Sequence, residues 1–517
     1  MDLLLSQPEF QTFSMRVFIM ITLSRMNEIA VLRGNQTCIS DNKNNYTWND
    51  IIRQTEFRVI FLRRSFSQEQ LRSVCYLSKN NAELISWLAA FATLGIPANG
   101  LDYSLPTETL STLIKQISPG LLLVSFSLYT PDELSHLNIA GTSMLGVNSP
   151  TDPVIESIGE LHHSELNCLL SAPIWPSFRA VSLTSGTSAV PKIALRYRSF
   201  DARRFAWFTN RFGFSDADGF MLILPLYHAA GNGWARMFMG LGAPLYLVDQ
   251  DDEQALIQTL SEEDVRATVM TPNLVNRIVS LCADSALQHY LRWVLVGGCY
   301  FPVKTKRAAR AALGDIFCEY YGCTETGVNV LSDPADMLDC PASVGRPYDG
   351  NQVRILDGNN NPLNAGEKGR VAISSYMLMD EYHDGSKPFM VLEGERYFLM
   401  ADYGYLDDSG RLFLMNRNGE IHSQHDVYYI EEKIRARSCI RDVALITIQL
   451  EGVNHIKCIF STDQNNKEKF IRLFEKIHEE AVKTGVINFS AHCVDDIPYS
   501  PSGKVRFSEI IRILDAA

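Results

Sequence analysis

The sequence lacks a basic surplus, paired cysteines and any long apolar run, and each absence removes a class of protein. Across 517 residues, Lys and Arg number 47 against 59 Asp and Glu, for a formal net charge of −12. That balance excludes a broad cationic face for nucleic acid or anionic lipid, while leaving room for a local basic site. The cysteines number 11, an odd count with no CxxC spacing, so neither a zinc framework nor a disulfide scaffold is indicated. They read as reduced, mostly buried thiols. The run VFIMITL (Val17 to Leu23) is too short to span a bilayer, and no clear small-residue cleavage site follows it. A cytoplasmic protein is expected, without stable membrane insertion and without a nucleic-acid partner. The sequons at Asn35, Asn45 and Asn488 are then chance matches. Repeats and low-complexity segments are also missing.

What is present is an alternation of apolar runs and amphipathic stretches over a length that suits several structural units. GLLLVSF (Gly120 to Phe126), GFMLILP (Gly219 to Pro225), PLYLVD (Pro244 to Asp249), RATVMTP (Arg266 to Pro272) and RWVLVGG (Arg292 to Gly298) are uniform apolar runs closed by turn residues. Such runs suit strands buried on both faces. Between them NAELISWLAAFATLG (Asn81 to Gly95) and PVKTKRAARAALG (Pro302 to Gly314) predict helices that end on glycine. The expected class is α/β: an N-terminal region of parallel βαβ sheets, a β-rich subdomain beyond about Gly350, and a small α+β domain. The boundary falls at residues 1–416 and 417–517. In the latter, KEKFIRLFEKIHEEAVK aligns Phe470, Phe474, Ile477 and Ala481 on one helical stripe.

One loop concentrates polar chemistry. TSGTSAVPK (Thr184 to Lys192) follows the short apolar strand AVSL, at the carboxyl end where open α/β sheets bind ligands. Hydroxyls, backbone N–H groups freed by Gly186 and the Lys192 ammonium can surround a polyphosphate. It is no Walker loop, because no GK[ST] closes it. On its own it also reads as a solvated Ser/Thr loop.

Other segments decide between those readings. LPLYHAAG (Leu224 to Gly231), VLVGGCYF (Val294 to Phe301), YYGCTETG (Tyr320 to Gly327), SVGRPYDGNQVRILD (Ser343 to Asp357), MADYGYLDDSGRLFLMNR (Met400 to Arg417) and PYSPSGKVR (Pro498 to Arg506) follow in order. Together with the loop they resemble the motifs of the adenylate-forming superfamily: acyl-CoA synthetases, firefly-type luciferases and peptide-synthetase adenylation domains. The likeness runs from about Asn45 to Arg506. It implies ATP-dependent activation of a carboxylic acid to an acyl-adenylate, with pyrophosphate released. The acyl group then passes to the thiol of CoA or of a carrier protein's phosphopantetheine. The alternatives are transfer to an amine or other non-thiol acceptor, and a degenerate homologue that binds nucleotide without turnover.

The resemblance also implies roles. Thr184, Ser185, Gly186, Thr187 and Lys192 hold the β- and γ-phosphates. Tyr321 and Gly322 flank the adenine, with Gly298, Cys299 and Tyr300 along its other edges. Thr324 and Glu325 stand near the α-phosphate, Glu325 being the Mg²⁺ ligand, since that hard cation prefers oxygen. Asp402 and Arg417 hold the ribose. Lys504 bridges the substrate carboxylate and the α-phosphate, offsetting charge that grows in the transition state. Tyr227, His228, Ala229 and Gly297 line the acid pocket. Ala229 falls where amino-acid-activating members carry an aspartate, and an α-ammonium buried without that partner is costly. The expected substrate is therefore a fatty or aryl acid without an α-amine. GNGWAR (Gly231 to Arg236) lacks the third glycine of a dinucleotide fingerprint and is set aside.

Several positions depart from the family pattern. Ala189 and Ile193 replace glycines of the loop, Tyr320 replaces a small residue, and Met400 and Ala401 replace Thr-Gly. Gly419 takes the hinge position, which must absorb a large backbone rotation. Asp426 takes the place of a glycine that lets the pantetheine thiol approach, so it is expected to narrow that passage and repel a thiolate.

Overall fold

The structure is a computed structural model that describes residues 21–41, 43–148, 154, 170, 180–184, 191–285, 287–417, 427–436, 440–450, 453–462, 478 and 489–516. Its largest sheet has nine strands, with Phe317–Cys323, Trp293–Val296, Val265–Met270, Gly219–Leu222, Leu245–Leu247 and Thr37–Ser40 as a parallel centre. Antiparallel strands close both edges. The central strands are buried along most of their length, as expected for apolar runs flanked by helices. A second, four-stranded parallel sheet joins Ala98–Gly100, Val74–Leu77, Leu121–Val124 and Ser143–Gly146. The helix Ala82–Leu94 packs beside it. The Asn81 side chain accepts from the Leu84 N–H at 2.7 Å to start this helix, and Gly95 ends it.

Beyond Gly350 the strands pair antiparallel in a five-stranded sheet built on Glu395–Leu406. One expectation needs correcting here. Ala180–Leu183 does not end an open parallel sheet; it forms an antiparallel hairpin with Ile193–Arg196, which Glu381–Tyr382 extends. A run of four apolar or small residues reads the same in either setting; its partner begins only ten positions on, and the third strand lies nearly two hundred positions away and pairs with that partner.

Toward the C-terminus, Ile440–Leu450, Val453–Thr462 and Phe489–Cys493 form a separate three-stranded sheet. Alternation divides its side chains between two faces. Val443, Ile456, Cys458 and Phe460 pack with the helix Val427–Arg435, while Ala444, Ile446 and Ile459 pack with Ile510 and Leu514 of the helix Phe507–Ala516. The amphipathic segment Phe470 to Ala481 lies outside the described residues, apart from position 478.

The cysteine expectation also shifts. Among the described residues no disulfide forms, but only Cys38, Cys75, Cys318 and Cys458 are buried, whereas Cys299 and Cys493 are exposed. Cys299 follows the end of a core strand, where the chain turns out of the sheet.

Beneath the carboxyl edge of the large sheet lies a buried ion pair. Lys306 Nζ meets Glu319 Oε2 at 2.5 Å, with the two side chains 3% and 4% exposed. Lys306 also donates to the Pro341 carbonyl at 2.7 Å. Burial raises the Glu319 pKa more than the neighbouring ammonium lowers it. A pair of this kind is costly to break from one side, because the remaining charge stays buried and uncompensated. Lys306→Met is therefore expected to destabilise the fold by about 3–5 kcal/mol, read from the urea midpoint. The double variant Lys306→Met/Glu319→Leu should recover much of that loss.

Candidate functional site

The carboxyl ends of the central parallel strands open into a cleft of about 1690 Å³ lined by residues from Ile21 to Arg512. At the end of Trp293–Val296 the backbone passes through Gly297 and Gly298, and both glycines are required by what lies against them. A Cβ on Gly297 would fall 2.5 Å from the Tyr320 ring, and one on Gly298, whose φ is +90°, would fall 3.3 Å from Lys504 Cε. Lys504 comes from the far end of the chain. Its turn is closed by hydrogen bonds from Gly503 N to the Ser500 carbonyl at 2.7 Å and from Ser500 N to the Lys504 carbonyl at 2.8 Å. Gly503 has φ +74°, and a Cβ there would overlap Thr271 Oγ1 at 2.1 Å. The turn is thus seated directly on the end of Val265–Met270. Arg506 extends the contact by donating to Ser104 Oγ at 2.5 Å.

The strand Phe317–Cys323 delivers Tyr321, Gly322 and then Thr324 and Glu325 to the same cleft. The Tyr321 hydroxyl donates to Asp402 Oδ2 at 2.7 Å. Asp402 in turn faces Arg417 across an antiparallel pair of strands, so three of the expected nucleotide residues converge. Glu325 accepts from the Tyr382 hydroxyl at 2.8 Å, and Lys192 Nζ lies 5.0 Å from the centre of the same Tyr382 ring. Cation, ring and carboxylate thus stand in a row at the mouth of the loop. Thr184 and Lys192 close its neck through Thr184 N to the Lys192 carbonyl at 2.9 Å and Lys192 N to Thr184 Oγ1 at 3.2 Å. Ser185, Gly186 and Thr187 lie outside the described residues, as do Gly419 and Asp426. Arg417 is described only as a strand position.

On the opposite wall, His228 caps the helix Ala229–Leu241: its Nδ1 accepts from the Ala230 N–H at 3.3 Å. The Gly231-to-Arg236 segment lies inside this helix, which accounts for its failure as a nucleotide loop. Burial, and then the nearby Lys504 charge, pull the His228 imidazole down to about 3, so the ring is neutral near pH 7. Tyr227 packs edge-on against Tyr103, with ring centres 5.5 Å apart. Ala229 opens onto the cleft at the first position of the helix.

Some contacts at the site carry no sequence signal. Tyr300 turns toward the helix Val427–Arg435: its ring stacks on Tyr428 at 4.2 Å and its hydroxyl donates to Glu432 Oε1 at 3.0 Å. Glu432 also accepts from the Val303 N–H. These groups join two units distant in sequence, which no local pattern reveals. Tyr382 sits in a two-residue strand, too short to show periodicity. Arg196, buried in the hairpin, donates to the carbonyls of Met377 and Thr324.

Residues 27–383 match the sequence model of the family described as AMP-binding enzyme. A 2-succinylbenzoate–CoA ligase of Lactococcus lactis is 26% identical over 303 residues, which span 58% of this chain and 63% of that ligase, under two thirds of its length. An indoleacetate–CoA ligase of Aromatoleum aromaticum is 23% identical over 67% of this chain and 69% of its own. Among solved structures, the amide bond synthetase McbA from Marinactinospora thermotolerans superposes with a TM-score of 0.77 at 18% identity, covering 95% of this chain and 99% of that one. The O-succinylbenzoate coenzyme A synthetase of Bacillus subtilis, in complex with AMP, gives 0.74 at 16% identity over 93% and 96%. These structural likenesses establish a shared α/β fold over nearly the whole chain. With its family match running through Thr184 to Lys192, Leu224 to Gly231 and Tyr320 to Gly327, the chain belongs to the AMP-binding enzyme family.

Proposed function

We propose that this chain is an ATP-dependent, AMP-forming ligase that activates a carboxylic acid as its adenylate and passes the acyl group to CoA. The observation that carries the reading is the seating of Lys504 against Gly298, within the cleft that Tyr321, Thr324, Glu325 and Asp402 also line. A carboxylate oxygen attacks the α-phosphorus, the bond to the β-phosphate oxygen breaks, and pyrophosphate leaves. Little covalent work falls to the protein, so positioning and charge neutralisation lower the barrier. Lys504 supplies a cation between the two reacting anions. Thr184, Ser185, Gly186, Thr187 and Lys192 take the β- and γ-phosphates. Tyr321 and Gly322 border the adenine with Gly298 and Cys299, while Tyr300 also braces the C-terminal helix. Asp402, oriented by the Tyr321 hydroxyl, takes the ribose together with Arg417.

Among the described residues no cluster of three or more His, Cys, Asp or Glu is placed to hold a metal ion. Mg²⁺ would need few protein ligands where phosphate oxygens and water complete its shell. Glu325 fits the role, because Tyr382 fixes one of its oxygens. When bound, Mg²⁺ neutralises phosphate charge.

The acid lies along Tyr227, His228, Ala229 and Gly297; Ala229 offers no carboxylate where amino-acid-activating members pair an α-ammonium, and the acid is a fatty or aryl one without an α-amine. CoA as acceptor is supported by the relatives named CoA ligases; a carrier-protein thiol is the alternative thiol acceptor. Residues 417–517 form the smaller domain carrying Lys504, and the cytoplasm, which supplies both ATP and CoA, is the compartment that this reading expects. No helix among the described residues is long and apolar enough to cross a membrane.

Lys504→Ala is expected to lower acid-dependent pyrophosphate exchange by about 10²–10³-fold, with ATP affinity by calorimetry little changed. Equal loss of both would remove the lysine from the chemistry. A second expectation concerns His228, whose folded pKa lies below its unfolded value. The unfolded chain therefore binds a proton that the folded chain refuses, so stability falls as pH drops from about 6.5 toward 3 and the contribution is flat above that window. His228→Asn should reduce the slope of unfolding free energy against pH between these limits, by up to about 1.4 kcal/mol per pH unit. Urea titrations at stepped pH measure it.

A further inference from the structure

The cleft holds a group of charges that adenylation does not use. Arg204 of the helix Asp201–Phe212 and Arg236 of the helix Ala229–Leu241 share one carboxylate, Asp201. Arg204 Nη2 lies 3.2 Å from Oδ1, and Arg236 Nη1 lies 2.7 Å from Oδ2. All three residues line the cleft. Two guanidinium groups against one carboxylate leave a net positive charge. Asp201 and Arg204 are buried, at 3% and 6% exposure, while the Arg236 side chain keeps 32%. The Nε–H groups of both arginines are buried and find no acceptor among the described residues. Arg196, a third guanidinium of the same cleft, spends its donors on carbonyls and feels the Glu325 and Asp201 charges only through space.

The surroundings make the surplus costly. Arg204 lies among the rings of Phe205, Phe200 and Trp234, at 4.9, 5.2 and 5.6 Å from their centres. It lies across Gly233, where a Cβ would come within 2.8 Å of Nη2. Burial lowers its pKa despite Asp201, so the single carboxylate does not repay the loss of water. Arg204 is also near enough to Tyr320 to influence its ionisation, and the Tyr320 ring rests on Gly297, beside Lys504's partner Gly298. The cationic pair thus shares the cleft with the acid-pocket positions, close to Tyr320. A charged pocket wall with unspent donors is matched by an anion that accepts from them.

We infer that the acid carries a second carboxylate, bound by Arg204 and Arg236 at the inner end of the pocket, so that the substrates are dicarboxylic acids of which one end is activated. This inference rests on the adenylation reading. It makes Arg236 and Arg204 determinants of specificity, with Asp201 as the residue that positions both.

The test is acid-dependent pyrophosphate exchange with matched sets: an aliphatic or aryl dicarboxylic acid, its monomethyl ester, and the monocarboxylic acid of equal length. Wild-type protein should favour the diacid over its half-ester by about 100-fold or more in kcat/KM, since a site built around charged donors rejects a ligand that leaves them unpaired. Arg236→Gln should cut that ratio at least about tenfold, with the KM for ATP unchanged and the thermal midpoint retained, and Arg236→Lys should keep part of the preference. Arg236 is the informative position because its side chain is less buried than that of Arg204. Equal use of diacid and monoacid would overturn the inference and leave adenylation standing. So would an Arg236→Gln variant that loses both substrates alike or raises the KM for ATP. Exchange with no acid of any set would overturn both readings together.

Discussion

The arrangement of this protein depends on one contact: the turn at Gly503 and Lys504 pressed onto the ends of two core strands. Neither side of that contact tolerates a side chain. Gly503 lies against Thr271, and Gly298 lies against the Lys504 stem, each with a positive φ that favours glycine. Lys504 therefore reaches the cleft only where the C-terminal unit is docked in the observed pose. Arg506 on Ser104, Tyr300 on Tyr428 and Glu432 on the Val303 N–H fasten the unit at separate points around the lysine. None of these contacts is large. Contacts of this kind each contribute about 1 kcal/mol.

A second device recurs around the cleft: a tyrosine hydroxyl donates to a carboxylate. Tyr321 does so to Asp402, Tyr382 to Glu325, Tyr300 to Glu432 and Tyr499 to Asp442. The Tyr300, Tyr382 and Tyr499 phenols titrate above their ordinary value, burial being the main cause and the adjacent carboxylate adding to it. Each therefore remains a donor at neutral pH. At Asp402, Glu325 and Glu432 a tyrosine orients the carboxylate without cancelling its charge, so anionic oxygens stay available to metal, sugar or a backbone donor, whereas Asp442 is also paired with Arg435. An arginine in the same place would pair with the carboxylate and take that capacity away.

Much of this was legible in the sequence because it is local. Uniform apolar runs marked the parallel strands of the large sheet, and the Asn81 and Gly95 caps bounded their helix to within a residue. Ordered motifs brought Tyr321, Glu325, Asp402 and Lys504 to one cleft. What escaped is mostly non-local. AVSL is the exception: its antiparallel partner Ile193–Arg196 begins only ten positions on, but four residues carry no mark of strand direction. Tyr300 was assigned to the adenine edge, yet its ring and hydroxyl also reach Tyr428 and Glu432, more than a hundred positions downstream. The Asp201, Arg204 and Arg236 group left no trace, since its members lie on two helices and each alone reads as a solvated charge. Exposed thiols were unexpected for the same reason: burial belongs to the fold, and Cys299 sits where a core strand runs out into the cleft.

The central claim is that docking of the Gly503 turn, rather than lysine chemistry in general, enables the first half-reaction. Gly503→Ala tests it most directly, because the added methyl meets Thr271 while Lys504 itself is untouched. The measurement is single-turnover adenylate formation from acid and ATP, set beside thioester formation from a supplied acyl-adenylate and CoA. The account predicts that adenylation falls by about 100-fold or more while the second step keeps its rate. Adenylation at the wild-type rate, or equal loss of both steps, would contradict it.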